Sequence, residues 1–208
     1  MRGLYLVTDR ELCRGRPLTQ IIRQAVEGGV TYLQLREKGL SFRDFVDEAR
    51  EIKKILEPYN VPLIINDRVD VAIACDAAGV HLGQSDMPFP EARAVLGEAS
   101  IIGLSVETWP DVEAAEKLNV SYIAASPVFA TPTKTDTKEP WGLEGLRKIK
   151  KFSRHPVVAI GGVNEKNISA VAEAGADCIA LVSAICAADD PLSAARRLLR
   201  LASPDAAR

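Results

Sequence analysis

No apolar run in this 208-residue chain reaches membrane-spanning length, and the opening MRGLYLVTDRE meets charge too early to read as a secretory signal. Neither sign of charge dominates. With 26 basic against 28 acidic residues the net charge is -2, and a nucleic-acid surface is not expected. The four cysteines, Cys13, Cys75, Cys178 and Cys186, show no CxxC spacing. They read as reduced thiols of a cytoplasmic protein, with Cys75 and Cys178 serving as small hydrophobes inside apolar segments. No Ser/Gly-rich linker or charge block divides the chain, which favours one domain over residues 1–208, its last few residues flexible. The first strand candidate is followed by no GxGxxG, so a dinucleotide fingerprint is missing. The serines and cysteines lack a nearby base, which argues against a covalent nucleophile. His81, among apolar neighbours in GVHLG, reads as a structural histidine, and His155 as an exposed residue ahead of a strand.

What is present is a hydrophobic fraction of 47%, enough for one sizeable core, and a repeating unit. An amphipathic helix ends in a small-residue turn, and a short apolar strand follows that ends in polar groups. The unit is legible at 25–36, 74–84, 115–126 and 171–183, with further strand candidates at 3–9, 62–67, 100–105 and 156–162. Near-continuous apolar strands suit a parallel sheet buried on both faces, and eight such units in about 200 residues fit a (β/α)8 TIM barrel better than an open doubly wound sheet. Helix starts are marked by Asp67 or Arg68, by Thr108 and by Asn164. Trp109 and Trp141 begin helices and are expected to pack at the barrel rim.

Parallel barrels place their chemistry at the C-terminal strand ends, where polar residues collect here. Asp67 and Asp86 end neighbouring strands, either as ligands of a hard cation such as Mg²⁺ held largely through substrate phosphates, or as caps of the helices that follow. Arg36 and Lys38 flank Glu37, so an extended segment puts the two cations on one side and the acid on the other. With Lys134 from the long polar segment at 125–142 they would suit a diphosphate. Gly161 and Gly162, ahead of a helix at Asn164, join Val182 and Ser183 as a backbone phosphate cradle, although a tight turn alone would also call for the glycines.

In order along the chain, YLVTDR, QLREK (34–38), NDRVDVA (66–72), GVHLGQSD (79–86), GLS (103–105), SPVFATPTKTD (126–136), AIGGV (159–163) and ALVSAI (180–185) resemble the thiamine-phosphate synthase family over nearly the whole length. Many members of that family instead have Gly before the Pro and Pro before the Thr in the long segment. The resemblance implies a TIM barrel that uses Mg²⁺ to join a hydroxymethylpyrimidine diphosphate to a thiazole phosphate and release diphosphate. It implies that Gln34, Leu35, Arg36, Glu37, Lys38 and Asn66 meet the pyrimidine diphosphate, that Ser105 contacts the pyrimidine, and that Asp67 and Asp86 hold the metal. By the same resemblance Thr131, Pro132 and Thr133 bind the thiazole phosphate, Lys134 the diphosphate, and Gly162, Val182 and Ser183 close the thiazole phosphate site. Arg36, Lys38 and Lys134 would stabilise the departing diphosphate, and 135–142 would cover the site. Two small phosphorylated substrates are thus the expected partners, with no membrane, and a homo-oligomer is left open. The rival readings are a thiazole tautomerase on the same barrel and a non-catalytic phosphate-ligand barrel.

Overall fold

A computed structural model describes residues 1–131 and 138–203. Among them strands and helices alternate in chain order: β1 (Gly3–Val7), α1 (Leu18–Glu27), β2 (Val30–Leu35), α2 (Phe42–Leu56), β3 (Leu63–Asn66), α3 (Val69–Ala74), β4 (Gly79–Leu82), α4 (Phe89–Leu96) and β5 (Ile101–Val106). They continue with α5 (Trp109–Ala115), β6 (Tyr122–Ala125), α6 (Gly142–Phe152), β7 (Val157–Ala159), α7 (Ile168–Glu173), β8 (Cys178–Leu181), α8 (Ser183–Cys186) and α9 (Pro191–Ala202). Neighbouring strands pair in parallel, and β8 closes on β1. The expected (β/α)8 barrel is the observed architecture. Pro132, Thr133 and Lys134, and the tail at 204–208 expected to be flexible, lie outside the described residues.

The period-two alternation of a strand sorts side chains into two cores. In β1, Leu4 and Leu6 join the large layer between barrel and helices, whereas Tyr5 and Val7 point inward with Ile64, Tyr122, Ala124, Val158, Cys178 and Ala180. The helices answer with apolar stripes: α1 buries Leu18, Ile21, Ile22, Ala25 and Val26, a 3.6-residue spacing. Several start on specific caps. Ser41 accepts from Asp44 N ahead of α2, Asp190 from Ser193 N ahead of α9, and Thr108 forms a capping box with Asp111 ahead of α5. All four cysteines are buried and unpaired, as small hydrophobes would be.

Two sequence expectations fail here. Asn164 does not start a helix: its Oδ1 accepts from Lys166 N, its Nδ2 donates to Gly162 O, and α7 begins only at Ile168 with Asn167 before it. An asparagine that can bond its own following backbone makes a turn as readily as a cap. His155 is buried, not exposed, because its Nε2 finds the carbonyl of Ala115 at 3.2 Å. Trp109 and Trp141 do pack against the core at their helix starts.

Inside the barrel, Tyr122 lies edge-on to Tyr5 with ring centroids 6.0 Å apart, and His81 stacks on it at 5.6 Å. Room for that ring comes from Gly103 on the adjacent strand, where a Cβ would stand 2.0 Å from Tyr122 Cζ. The ring is walled by Tyr5 and His81, so it has nowhere to retreat. Gly103→Ala is therefore expected to destabilise the fold by about 1–3 kcal/mol through overpacking. A urea midpoint equal to that of the parent would contradict this account of the barrel interior.

Candidate active site

Following the same inward alternation toward the C-terminal strand ends leads from apolar to polar residues. Tyr32 is followed by Gln34 and Arg36 on β2, Ile64 by Asn66 on β3, Gly79 by His81 on β4, and Gly103 by Ser105 on β5. On the far side the inward residues are glycine or aliphatic, Ala124, Ile160, Gly162, Ala180 and Val182, all shorter than the tyrosines below, so the interior is not filled to its rim. The result is a cavity of about 610 Å³ at the mouth, lined by these residues together with Lys38, Asp67, Asp86, Thr131, Lys138 and Ser183.

Asp67 and Asp86 both line this cavity, close enough for each carboxylate to feel the other's charge. Neither caps a helix: the N-cap positions of α3 and α4 are Arg68 and Pro88, neither with a side-chain cap, and Asp86 Oδ2 instead accepts from Gly83 N at 2.6 Å. The backbone reinforces the placement. Asp67 N donates to His81 O, and the residue adopts a left-handed φ of 62°, a conformation Asp tolerates better than most residues. Desolvation first, and the neighbouring Asp86 second, push the Asp67 carboxyl up to about 6, against the opposing pull of Lys38. Two adjacent oxygen donors with no third His, Cys, Asp or Glu in a cluster among the described residues fit a hard cation that takes its remaining ligands from phosphate and water.

Arg36 and Lys38 both face the cavity, and the alternation holds: Glu37 turns away. An ion pair with Asp9 at 3.2 Å orients the Arg36 guanidinium, while Thr8 Oγ1 accepts from its backbone N–H. Glu37 is engaged by Arg10 at 3.0 Å, and Leu35 is fully buried in the outer core. Neither side chain is among those lining the cavity, unlike the other expected contacts on this segment. Gln34, Asn66, Ser105, Thr131, Gly162, Val182 and Ser183 do line it.

Opposite the acids, residues 127–130 run alongside 160–162, with Val128 N bonded to Ile160 O and Phe129 N to Gly161 O. The approach is close enough to require glycine: a Cβ on Gly161 would lie 2.6 Å from Pro127 Cβ, one on Gly162 2.7 Å from Phe129 Cβ, and both residues have positive φ. Asn164 and Asn167 both donate to Gly162 O. The N–H groups of Gly161, Gly162 and Val163 find no acceptor among the described residues, which leaves a backbone surface suited to an anion. The tight-turn and cradle readings of the glycines are thus compatible.

Sequence reasoning missed Tyr5, His81, Ser126, Glu107 and Lys138, all of which line the cavity. Alternation along β4 carries the signal for His81, because the same register that points Val80 outward turns its neighbour in. Lys138, in the stretch ahead of α6, carries no local signal for a place at the mouth.

The fold and this mouth define a (β/α)8-barrel enzyme whose site gathers cations, paired acids and unbonded backbone donors at the C-terminal strand ends. The chain belongs to the thiamine monophosphate synthase family, whose sequence model matches residues 4–185. It is similar to thiamine-phosphate synthases of Albidiferax ferrireducens, 55% identical over 95% of this chain and 90% of that one, and of Vibrio parahaemolyticus, 53% identical over 95% and 97%. Its fold is similar to that of a thiamine phosphate pyrophosphorylase from Pyrococcus furiosus, with a TM-score of 0.88, 38% identity, and coverage of 96% of this chain and 95% of that one.

The raised Asp67 carboxyl has a consequence for stability. Its folded value lies above the unfolded one, so between about pH 4 and about pH 6 the native state holds the extra proton, and stability falls as pH rises through that window. Without divalent cations, Asp67→Asn should remove this fall and gain about 1 kcal/mol at pH 7.5, after allowing for solvent screening of a half-exposed group. Melting curves from pH 4 to 8 that run parallel in parent and variant would refute the assignment.

Proposed function

We propose that the chain is a Mg²⁺-dependent thiamine-phosphate synthase. It joins 4-amino-2-methyl-5-(diphosphooxymethyl)pyrimidine to a thiazole phosphate, 4-methyl-5-(2-phosphooxyethyl)thiazole or its carboxylated form, giving thiamine phosphate and diphosphate. The observation that carries the reading is the meeting of Arg36, Lys38, Asp67 and Asp86 on one wall of a cavity whose facing wall is Gly161, Gly162, Val182 and Ser183. A synthase must hold two phosphorylated molecules at once, and one wall suits a diphosphate, the other a single phosphate. A cavity of about 610 Å³ is within the range of small-molecule sites.

In this reading Asp67 and Asp86 hold Mg²⁺, which when bound supplies positive charge to the leaving diphosphate. Arg36, braced by Asp9, gives its guanidinium fork to phosphate oxygens, and Lys38 and Lys134 add point charges. These groups stabilise the negative charge that develops as the bond from the methylene carbon to the diphosphate oxygen breaks. The aminopyrimidine's own electrons support the cation left behind, and the thiazole nitrogen then forms the new C–N bond. No protein nucleophile is needed. Gln34, Asn66 and Ser105 fix the pyrimidine, while Thr131, Pro132, Thr133, Gly162, Val182 and Ser183 fix the thiazole phosphate. Orientation and exclusion of water are the chain's main contributions.

A thiazole tautomerase or a non-catalytic phosphate binder would use the glycine wall but would leave the acids and cations of the other wall without a task. No helix among the described residues is long and apolar enough to cross a membrane, and we place the enzyme in the cytoplasm.

Supplying both substrates with and without Mg²⁺ should yield thiamine phosphate only with the metal. Lys134→Ala and Asp67→Ala should each lower turnover roughly 100-fold or more while leaving far-ultraviolet circular dichroism unchanged. Absence of product under every condition, or near-parental rates in both variants, would sink the assignment.

A further inference from the structure

Beneath the cavity, five side chains form one unbroken hydrogen-bonded chain. Gln34 Nε2 donates to Tyr5 Oη at 3.0 Å, and the phenol oxygens of Tyr5 and Tyr122 lie 2.9 Å apart. Tyr122 Oη is 3.0 Å from His81 Nδ1, and His81 Nε2 is 2.9 Å from Ser105 Oγ. Tyr5 and Tyr122 are each only 1% exposed, so no bulk water completes their bonding. The ends of the chain, Gln34 and Ser105, both reach the cavity. It therefore begins and ends where a ligand lies.

Donor counting fixes its sense. A phenol has one hydrogen to give. Tyr5 Oη accepts from Gln34, so its own hydrogen goes to Tyr122, whose hydrogen goes in turn to His81 Nδ1. That acceptor role places the imidazole proton on Nε2, where it is donated to Ser105 Oγ, and the serine hydrogen is left for a ligand. At the other end, Gln34 Oε1 accepts from no described residue, yet it is not among the buried polar atoms that lack a partner. It is open to the cavity as an acceptor. With Gln34 donating, any other arrangement strands a buried phenol hydrogen without an acceptor. Burial also raises both phenols far above their ordinary range, so each keeps its hydrogen.

We propose that this chain is a specificity device that holds Gln34 as an acceptor and Ser105 as a donor, and so selects a ring edge presenting one donor and one acceptor, as a 4-aminopyrimidine does. The 4-oxo ring carries the opposite pair, a carbonyl acceptor beside a ring N–H, and sets its carbonyl against the Gln34 amide oxygen, while Ser105 must give up its donor role and accept through its remaining lone pair. Tyr5, Tyr122 and His81 act through the two end residues and are positioning residues. The inference rests on the synthase reading only for the identity of the ring.

Tyr122→Phe and Tyr5→Phe each interrupt the chain with nearly unchanged shape, and either lets at least one end residue turn over. The measurement is calorimetric titration, in Mg²⁺, of 4-amino-2-methyl- and 4-oxo-2-methylpyrimidin-5-ylmethyl diphosphate into the parent and both variants. Diphosphate contacts cancel in the ratio of the two dissociation constants. The parent should prefer the amino compound by about 100-fold or more, and each variant should cut that preference at least about tenfold, with the affinity for inorganic diphosphate unchanged. A preference unchanged in both variants, or a parent that does not discriminate, overturns the inference. Product formation by the parent is scored separately: a protein that makes no thiamine phosphate yet shows the chain-dependent preference would refute the synthase reading and uphold this one.

Discussion

A closed parallel barrel has one inside, and every second residue of each strand must go there. The rest of the structure depends on this constraint, because the filling of that interior decides where it is solid and where it opens. Toward the N-terminal strand ends the space is taken by Tyr5 and Tyr122 with Ile64, Val158 and Cys178, and Gly103 is required simply to admit the Tyr122 ring. Toward the C-terminal ends the inward residues following β6 to β8 are alanine, isoleucine, glycine and valine, none as long as a tyrosine, while those on β2 to β5 become Gln34, Asn66, His81 and Ser105. One half of the rim thus recedes as the other turns polar. The cavity and its asymmetry come from the same alternation that builds the core.

Charge in the mouth is arranged against the stability of the empty protein. Asp67 sits beside Asp86 in a partly desolvated site, with its carboxyl pushed up by burial and by its neighbour. Such a pair costs free energy unless a cation joins it. Arg36, by contrast, is already balanced by Asp9, and Glu37 is removed into a separate pairing with Arg10. The acids remain in want of positive charge while the cations stay available to phosphate, an imbalance expected at a binding site rather than in a structural ion network.

Much of this was legible in the sequence. Eight apolar strands with polar C-terminal ends favoured a barrel over an open sheet, and the spacing of Arg36, Glu37 and Lys38 in an extended segment separated two cations from an acid. What escaped were features set by distant partners. His155 is buried because a carbonyl 40 residues earlier receives it, and Lys138, just ahead of α6, lines the mouth. Asn164 and Asn167 tie a turn to Gly162 where a helix start was expected, since an asparagine near Gly-Gly serves either purpose.

The sequence alone determined the fold and the chemical types at the strand ends, because strand alternation and helix stripes are local periodicities that survive without knowledge of neighbours. Tertiary structure alone decided which of those groups face one another. Asp67 and Asp86 became a pair instead of two caps, Leu35 and Glu37 turned out of the site that their neighbours enter, and Gln34, Tyr5, Tyr122, His81 and Ser105 joined from five strands into one hydrogen-bonded chain. The physical reason is that register between strands and the closure of β8 on β1 set distances across the barrel, and no periodicity along a single strand encodes them.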